Sequence, residues 1–361
     1  MSRTIFLNCR LLNCFSMVYH KTVMEKKKLT IHDIAKLADV SPTTVSFVLN
    51  GRNGVSEETR VHVQDIIERT GFTPNVHTRR LNLKKSFNIS VVMQDQISSL
   101  HDMYFLEIIF GILSESKLLG YNVLFATLGS GTDQELLLRT INDKSTDGLI
   151  FLMDLDPDTL SLVKESAVPH LVVDSHLTDD EIYPQVKVDY REASFTATEY
   201  LIKAGHKKIA FISMGQSPDY YMSTFEGYKT ALLRYGLPLD PSWIQSEAGD
   251  ENSAYDCMRN ILESGVAPTA VFCAGDIFAI GAMKCVKDRG LAIPDDISFI
   301  GIDNLIISPY IQPPLTTVSI NERRMGQAAM RIIYNILNGN PEATVEYIKV
   351  SVVERESVKF I

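Results

Sequence analysis

Residues 30–50 read TIHDIAKLADVSPTTVSFVLN, and this stretch decides the fold of the N-terminal region. Thr30 and Asp33 have the Ser/Thr-x-x-Asp/Glu spacing of a capping box, which predicts a helix that begins after Thr30. The apolar residues of this helix recur at helical spacing and are Ile31, Ile34, Ala35 and Ala38. Asp39 and Val40 follow as a short turn.

A second short helix follows this turn. Ser41 can cap it, and Pro42 takes its first position, where the missing N–H costs nothing. Val45, Val48 and Leu49 point inward, and the Asn50-Gly51 pair ends the helix. Two short helices joined by so tight a turn are typical of a helix-turn-helix.

The second helix leaves a hydroxyl-rich face directed outward, formed by Pro42, Thr43, Thr44, Ser46 and Phe47. A face of this size and chemistry can enter the major groove of DNA and reach base edges. An ordinary helical hairpin is the alternative interpretation of the same residues.

The pattern continues through a third helix and a short basic segment. Ser56 caps the helix, Val61, Ile66 and Ile67 supply its apolar stripe, and Gly71 ends it. After a turn at residues 72–75, residues 76–82 are too few and too polar to hold a helix in water unaided.

The run from Thr30 to Lys85 resembles the lactose-repressor/galactose-repressor family of bacterial transcriptional regulators, with a purine-repressor-like architecture. In that family the short basic segment is a hinge helix that orders on operator DNA, and its leucine, here Leu81, wedges into the minor groove. The resemblance implies a DNA-binding set of Thr30, Ser41, Pro42, Thr43, Thr44, Ser46, Phe47, Asn50, Val76, His77, Arg79, Leu81 and Asn82.

The charge of the chain is divided unevenly. The 361 residues carry a net charge of −9, but residues 24–87 carry +4 and residues 1–23 carry +3, which leaves −16 for the remainder. A basic headpiece on an acidic body places the phosphate-binding charge at one end of the molecule.

Several classes of protein are disfavoured by the remaining composition. The five cysteines show neither metal spacing nor a disulfide framework, and no apolar run is long enough to span a membrane. We interpret residues 1–23 as a disordered extension or a misannotated start, because Asn8, Arg10 and Asn13 interrupt any signal-peptide core. A cytoplasmic location follows.

From Asn88 onward, continuous apolar strands alternate with helices. The first strands are predicted near residues 89–93, 122–126, 148–152 and 170–173, and a second round near 208–212, 270–273 and 297–301. This alternation predicts parallel sheets covered on both faces. Two such units leave a cleft between the carboxyl ends of their strands.

The body resembles the effector-binding domain of the same family, which is related to periplasmic sugar-binding proteins. The motifs that carry this are Gly205-His206-Lys207-Lys208-Ile209, Gly301-Ile302-Asp303-Asn304 and Pro314-Leu315-Thr316-Thr317-Val318. The implied fold class is α/β, with an all-α helix-turn-helix headpiece and a periplasmic-binding-protein-like body of two doubly wound parallel-sheet subdomains. The domains are residues 24–73 (headpiece), 74–87 (hinge) and 88–361 (effector binding and dimerisation), with crossovers near 190, 320 and 349.

Strand ends give the candidate effector-binding residues. They are Tyr104, Phe105, Asp189, Tyr220, Tyr221, Thr224, Asp276 and Asp303, with the residues near 220 assigned to a loop. Carboxylates that accept from vicinal hydroxyls beside an aromatic ring are typical of a sugar site. The alternatives to a binding role are that Asp276 is only a helix cap and that Tyr104 is only a core residue.

Two positions depart from the family pattern. Phe47 stands where many relatives carry an Arg or His that contacts bases, so the operator is expected to differ from the usual half-site. Thr224 stands where the family often has an arginine, which disfavours an anionic effector. A neutral, polyhydroxylated ligand is expected.

The sequence as a whole predicts a DNA-binding regulator without cofactor or metal, a homodimer that represses carbohydrate-utilisation genes on a palindromic operator. Tetramers and a corepressor protein stay open. A freestanding sugar-binding protein is one alternative. An enzyme is the other, but the loop Gly129-Ser130-Gly131 has Gln134 where a dinucleotide fingerprint needs glycine.

Overall fold

The computed structural model describes residues 29–49, 52–72, 85–94, 102–128, 134–152, 154–176, 183–215, 217–340 and 345–361. They fall into two units that divide between Lys85 and Ser86. No helix among these residues is long and apolar enough to cross a membrane.

The N-terminal unit contains the three predicted helices, α1 (Ile31–Leu37), α2 (Pro42–Leu49) and α3 (Glu57–Thr70). The capping box of α1 is present, since the Thr30 N–H donates to Asp33 Oδ2 at 2.8 Å and the Asp33 N–H donates to Thr30 Oγ1 at 3.3 Å. Ser56 caps α3, and Gly71 ends it in the left-handed conformation with φ 62°. These ends follow from the local sequence alone.

A small apolar core joins the three helices. Its buried members are Ile34, Ala35, Ala38, Val45, Val48, Val63 and Phe72. The assignment of Val61 to this core was wrong, because its side chain is 56% exposed while that of Val63 is fully buried. Val63, Ile66 and Ile67 share one helical face by their spacing, and Val61 lies off that face.

The second unit is built from strands and helices in alternation. In chain order they are β1 (Asn88–Gln94), α4 (Asp102–Leu119), β2 (Asn122–Leu128), α5 (Gln134–Asn142), β3 (Gly148–Phe151), α6 (Pro157–Glu165), β4 (His170–Val173), β5 (Gln185–Val188), α7 (Tyr190–Lys203), β6 (Ile209–Ile212), α8 (Pro218–Arg234), β7 (Ile244–Gln245), α9 (Glu251–Glu263), β8 (Ala270–Cys273), α10 (Asp276–Asp288), β9 (Ser298–Asp303), β10 (Thr316–Ser319), α11 (Glu322–Leu337), β11 (Val345–Ile348) and β12 (Ser351–Val353).

The strands form two six-stranded sheets. The first has the order β11-β5-β4-β3-β1-β2 and is parallel throughout. The second has the order β12-β10-β9-β8-β6-β7, with only β12 antiparallel. The predicted parallel α/β architecture is confirmed.

Alternate residues of the central strands enter different cores, as sheets covered on both faces require. Leu149 and Phe151 of β3 pack with Leu137 of α5 and Val163 of α6. Ile150 faces the opposite side, in the core that contains Ile108 of α4. The sheets are therefore doubly wound.

The chain passes between the two sheets three times. β5 belongs to the first sheet, and α7 packs on the second; β10 belongs to the second, and α11 packs on the first. The last passage separates β11 from β12. These passages lie at residues 188–190, 319–322 and 348–351, so the two subdomains are joined by three short segments.

Residues 218–234 form helix α8, so Tyr220, Tyr221 and Thr224 lie in a helix where the sequence predicted a loop. Aromatic residues and Gly227 lower the helix propensity of this stretch. Gly227 lets α8 approach α7 closely, because a Cβ atom there would lie 2.3 Å from the carbonyl oxygen of Arg191. Tertiary packing thus decides the conformation of this segment.

Candidate functional site

The outward face of α2 has the expected exposed character. Thr43 is exposed, and Pro42, Thr44 and Ser46 are half-buried. Ser41 Oγ accepts from the Thr44 N–H at 3.0 Å and lies 2.9 Å from the Thr44 hydroxyl. Thr43 is therefore the hydroxyl on this face best placed to meet another molecule.

The ring of Phe47 lies against the loop that follows α2. A Cβ atom on Gly54 would lie 3.6 Å from Phe47 Cε2, and the Arg52 N–H donates to the Phe47 carbonyl at 2.9 Å. The ring is half-buried rather than fully projected. The remaining predicted DNA-binding residues lie outside the described residues, apart from Thr30, which caps α1: they are Asn50, Val76, His77, Arg79, Leu81 and Asn82.

In the body, Asp174 joins side chains from both subdomains. It follows β4, and its Oδ2 accepts hydrogen bonds from the hydroxyls of Tyr104 on α4 and Tyr190 on α7, the latter at 2.8 Å. Burial and the nearby Asp174 carboxylate raise the pKa of both tyrosines well above the usual range. Both hydroxyls therefore remain protonated donors.

Three aromatic rings meet beside this carboxylate. The Tyr190 and Tyr220 ring centroids are 4.8 Å apart, and His176 lies 5.4 Å from Tyr190 and 5.0 Å from Tyr220. His176 follows a strand of the first sheet, whereas Tyr220 belongs to α8 of the second subdomain. The cluster therefore spans the two subdomains at the carboxyl ends of their strands.

Asp303 ends β9 with a positive φ of 112°. Its Oδ2 accepts from the Asp276 N–H at 3.4 Å, and it lies near enough to Tyr190 and Tyr220 to raise the pKa of each phenol. Burial raises the pKa of Asp303 itself well above its usual range, and the carboxylates of Asp276 and Glu322 add to the effect. Asp303 therefore faces the aromatic cluster, as a strand-end carboxylate should.

Glu322 begins α11 at the second passage between subdomains. Its side chain is only 6% exposed and makes no hydrogen bond to another described residue. Burial raises the pKa of Glu322 to about 8, and Asp276, Glu107 and Asp174 add to the effect. A cavity of about 330 Å³ opens beside it, which is lined also by Arg323, Arg355 and Asn304.

Asp276 has a structural part in the cleft wall. Its Oδ2 accepts from Ser308 Oγ and the Leu305 N–H, and its Oδ1 accepts from Thr317 Oγ1. Burial raises the pKa of Asp276 to about 6. A Cβ atom at position 301 would lie 2.1 Å from Asp276 Oδ1, so Gly301 makes room for this carboxylate.

Two other predicted effector residues, Thr224 and Tyr221, lie on α8. Thr224 is fully buried inside α8, and its hydroxyl is bonded to Ser213 and to the carbonyls of Tyr220 and Tyr221. Tyr221 stacks on Phe225 at 5.6 Å. Assigning Thr224 to a ligand-facing loop was therefore wrong, because the segment is helical and this side of it packs inward.

Asp189 and Phe105 lie at the edges of the cluster. Asp189 is exposed and caps α7 through the Glu192 N–H at 2.9 Å; it lines a cavity of about 390 Å³ between α7 and α8. Phe105 contacts the Tyr104 ring edge-on at 5.1 Å. Neither side chain is shown to enter the cluster around Asp174.

Sequence reasoning missed Asp174, His176, Tyr190 and Glu322. Asp174 follows a predicted strand directly, so the rule that selected Asp303 could have found it. Glu322 carries no such signal, because a glutamate in the first turn of a helix is ordinarily a solvated partner of the helix dipole.

Two buried carboxylate oxygens in this region have no hydrogen-bond partner among the described residues, Oδ1 of Asp154 and Oδ1 of Asp174. Buried acceptors nearly always accept a hydrogen bond, so two such oxygens without one beside a cleft point to a ligand. A helix-turn-helix unit followed by such a two-subdomain body defines the class of ligand-responsive DNA-binding regulators.

Known proteins agree with this class. Residues 30–75 match the family described as bacterial regulatory proteins of the lacI family, and residues 198–358 match a periplasmic binding protein-like domain. Catabolite control protein A of Priestia megaterium is 34% identical over 313 residues, which are 86% of this chain and 93% of that protein.

Two solved structures extend the likeness to the fold. The lac repressor dimer bound to operator and the anti-inducer ONPF has a TM-score of 0.73 at 26% identity and covers 92% of this chain and 100% of its own. The transcriptional regulator CelR in complex with cellobiose has a TM-score of 0.68 at 25% identity, and the match covers 91% of this chain and 99% of the CelR chain.

The chain belongs to the lacI family of bacterial regulatory proteins. It is a DNA-binding transcriptional repressor, and the relatives named are regulators rather than enzymes.

Proposed function

We propose that this repressor controls carbohydrate-utilisation genes and is switched by a small carbohydrate bound between the two subdomains. The observation that carries the proposal is the unpaired Oδ1 of Asp174, which lies with Asp303 beside the rings of Tyr190 and Tyr220. Carboxylates accept from sugar hydroxyls, and aromatic rings cover the apolar faces of sugar rings. The cellobiose complex of CelR supports this ligand class.

The switch follows from the way in which the subdomains are joined. A ligand that contacts both Asp174 and Asp303 changes the relative free energies of the open and closed arrangements. The three connecting segments let that change reach residues 74–87, which we propose as the hinge helix with Leu81 at the minor groove. The protein would act in the cytoplasm, where it meets its operator as a homodimer on a palindromic site.

The test is footprinting by the full-length protein on the DNA beside its own gene, repeated with a panel of neutral sugars. We expect protection that one sugar relieves. Asp303→Asn should keep operator binding and weaken the response, since one hydrogen bond of a buried neutral carboxyl group contributes roughly 0.5–1.5 kcal/mol, or about twofold to tenfold in affinity. Asparagine tolerates the positive φ of this position.

The exposed carboxylate of Asp143 provides the matched control, and Asp143→Asn should respond as the parent does. Protection that no sugar alters would argue against the carbohydrate class. Protection that is relieved equally in Asp303→Asn would place the effector elsewhere in the molecule.

A further inference from the structure

Six of the ten segments that follow β1–β10 are acidic, and the other four are uncharged. The segments that follow β1–β10 contain eleven aspartates and glutamates and no lysine or arginine. These segments are residues 95–101, 129–133, 152–156, 174–184, 189, 213–217, 246–250, 274–275, 304–315 and 320–321. Among the described residues these acidic side chains are Asp154, Asp156, Asp174, Asp189, Glu247 and Asp250, and parallel strands end at one edge of a sheet.

Asp174, Asp303 and Glu322 form no salt bridge with another described residue, although Arg323 and Arg355 line the cavity beside Glu322. Glu322 is almost completely buried without a hydrogen bond to another described residue, and Asp174 has one unpaired buried oxygen. The positive charge of Arg355 partly offsets the rise in the pKa of Asp276. The hydrogen bonds of its guanidinium go to the Leu315 carbonyl and to Asn304 Oδ1. A buried carboxyl group without compensation stays protonated, and a positive charge beside it would let it ionise.

The titration of the cleft carboxyls agrees with this geometry. Burial is the first cause of the raised pKa of Asp303 and of Glu322, and their neighbours Asp174 and Asp276 add negative charge rather than relieve it. A cation placed among these groups would lower both pKa values, since an opposite charge within a few ångströms favours the ionised form.

The aromatic side chains of the cluster suit the same kind of ligand. The ring centroids of Tyr190, Tyr220 and His176 lie within 5.4 Å of one another, and the Tyr190 hydroxyl donates to Asp174. Aromatic rings attract ammonium groups through their quadrupole, most strongly where water is excluded. No group of His, Cys, Asp and Glu among the described residues is arranged to hold a metal ion, which favours an organic cation.

We propose that the effector carries a protonated amine, and that its ammonium group binds among Asp174, Asp303 and Glu322 beside the rings of Tyr190 and Tyr220. Together with the carbohydrate class proposed above, on which this step rests, the ligand is an amino sugar. The hydroxyls of its ring satisfy the remaining carboxylate oxygens, and the amine supplies the charge that the cleft lacks.

The test compares glucosamine, glucose and N-acetylglucosamine as ligands of the full-length protein by calorimetry at neutral pH. The three share one ring and differ in a single substituent, which is charged only in glucosamine. We expect glucosamine to bind about tenfold more tightly than either neutral sugar, because a charge-assisted hydrogen bond is roughly twice as strong as a neutral one.

Proton release gives a second readout. If the amine ionises Glu322 on binding, the apparent binding enthalpy of glucosamine should differ between two buffers of different ionisation enthalpy. Glu322→Gln should lose both the proton release and the preference for the amine. Glu165→Gln, at an exposed carboxylate on α6, should keep both, and thermal melting of each variant checks its fold.

The outcomes separate the two proposals. Tighter binding of glucose or N-acetylglucosamine would overturn the amine and leave the carbohydrate class standing. Failure of all three sugars to bind would overturn the amino sugar, while the sugar panel on operator DNA judges the carbohydrate class independently. Binding of glucosamine without proton release, or unchanged in Glu322→Gln, would also overturn the assignment.

Discussion

Phe47 is the residue of α2 at which we propose that base recognition is most open to change. It lies on the outward side of α2, but its ring rests against Gly54 and cannot donate or accept a hydrogen bond. Phenylalanine can contact a thymine methyl group, whereas arginine recognises the O6 and N7 acceptors of guanine. The identity of this side chain should therefore affect the sequence that is preferred more than the strength of binding.

We expect Phe47→Arg to shift the preferred half-site toward guanine at one position, with operator affinity retained on the new site. A bidentate contact contributes about 1–3 kcal/mol of discrimination, or roughly tenfold to a hundredfold. Selection from random half-sites measures this for both proteins. Phe360→Arg, at an exposed phenylalanine of the body, is the control, and an identical selected sequence for Phe47→Arg would remove Phe47 from the DNA contact.

Glu322 makes the stability of the body depend on pH. Its pKa is raised by burial to about 8 in the folded chain, above its ordinary value in an unfolded chain. At a pH between the unfolded and folded pKa values of Glu322, the folded state therefore binds more protons than the unfolded state. The contribution of Glu322 to stability is present at low pH and is lost as pH rises through about 8.

We expect Glu322→Gln to gain stability relative to the parent as pH rises from about 5 to about 9. Urea unfolding of the ligand-free proteins across this range gives the difference in unfolding free energy. Glu165→Gln should run parallel to the parent. A constant offset between Glu322→Gln and the parent at every pH would contradict the assigned burial of this carboxyl.

At the scale of elements, helix α4 and the edge strand β2 present apolar side chains to solvent. Leu106, Phe110 and Leu113 share one face of α4 and are 39–40% exposed, and Phe125 of β2 is 54% exposed. Apolar side chains exposed on an edge strand and on the helix before it are typical of an interaction surface. A second copy of the chain is the partner that the palindromic operator proposed above requires.

We expect Leu113→Asp to shift the protein from dimer to monomer and to weaken operator binding, because it buries an unpaired charge in the interface. Sedimentation at several concentrations measures the assembly. Leu233→Asp is the matched control, since Leu233 is 64% exposed on α8. A dimer that withstands Leu113→Asp would place the interface on another surface.

At the scale of the whole molecule, charges of opposite sign lie in different parts of the chain. Residues 24–87 carry +4 and the chain from Asn88 carries −16. Phosphate contacts release counterions and so weaken with salt, whereas interactions in a buried cleft are screened much less.

We therefore expect operator affinity to fall roughly a thousandfold or more between about 50 and 200 mM salt, while effector affinity changes far less. Fluorescence anisotropy with labelled operator and calorimetry with the effector give both curves on one preparation. Equal salt dependence of the two would mean that the charge division does not separate the functions.

The sequence by itself determined the features whose causes lie close together in the chain. The capping box joins Thr30 to Asp33 across three residues, and Ser56 and Gly71 bound α3 in the same local way. The parallel sheets followed from continuous apolar strands, and Asp303 followed from its place at a strand end. Short-range hydrogen bonds and periodicity need no knowledge of the fold.

Only the tertiary structure decided which of the distant residues meet. Asp174, Tyr190 and Glu322 lie on three different elements and come together because the chain passes repeatedly between two sheets. The same packing turned residues 218–234 into a helix and buried Thr224 inside it. Burial and mutual charge set the protonation of Glu322, and both depend on neighbours that are far away in sequence.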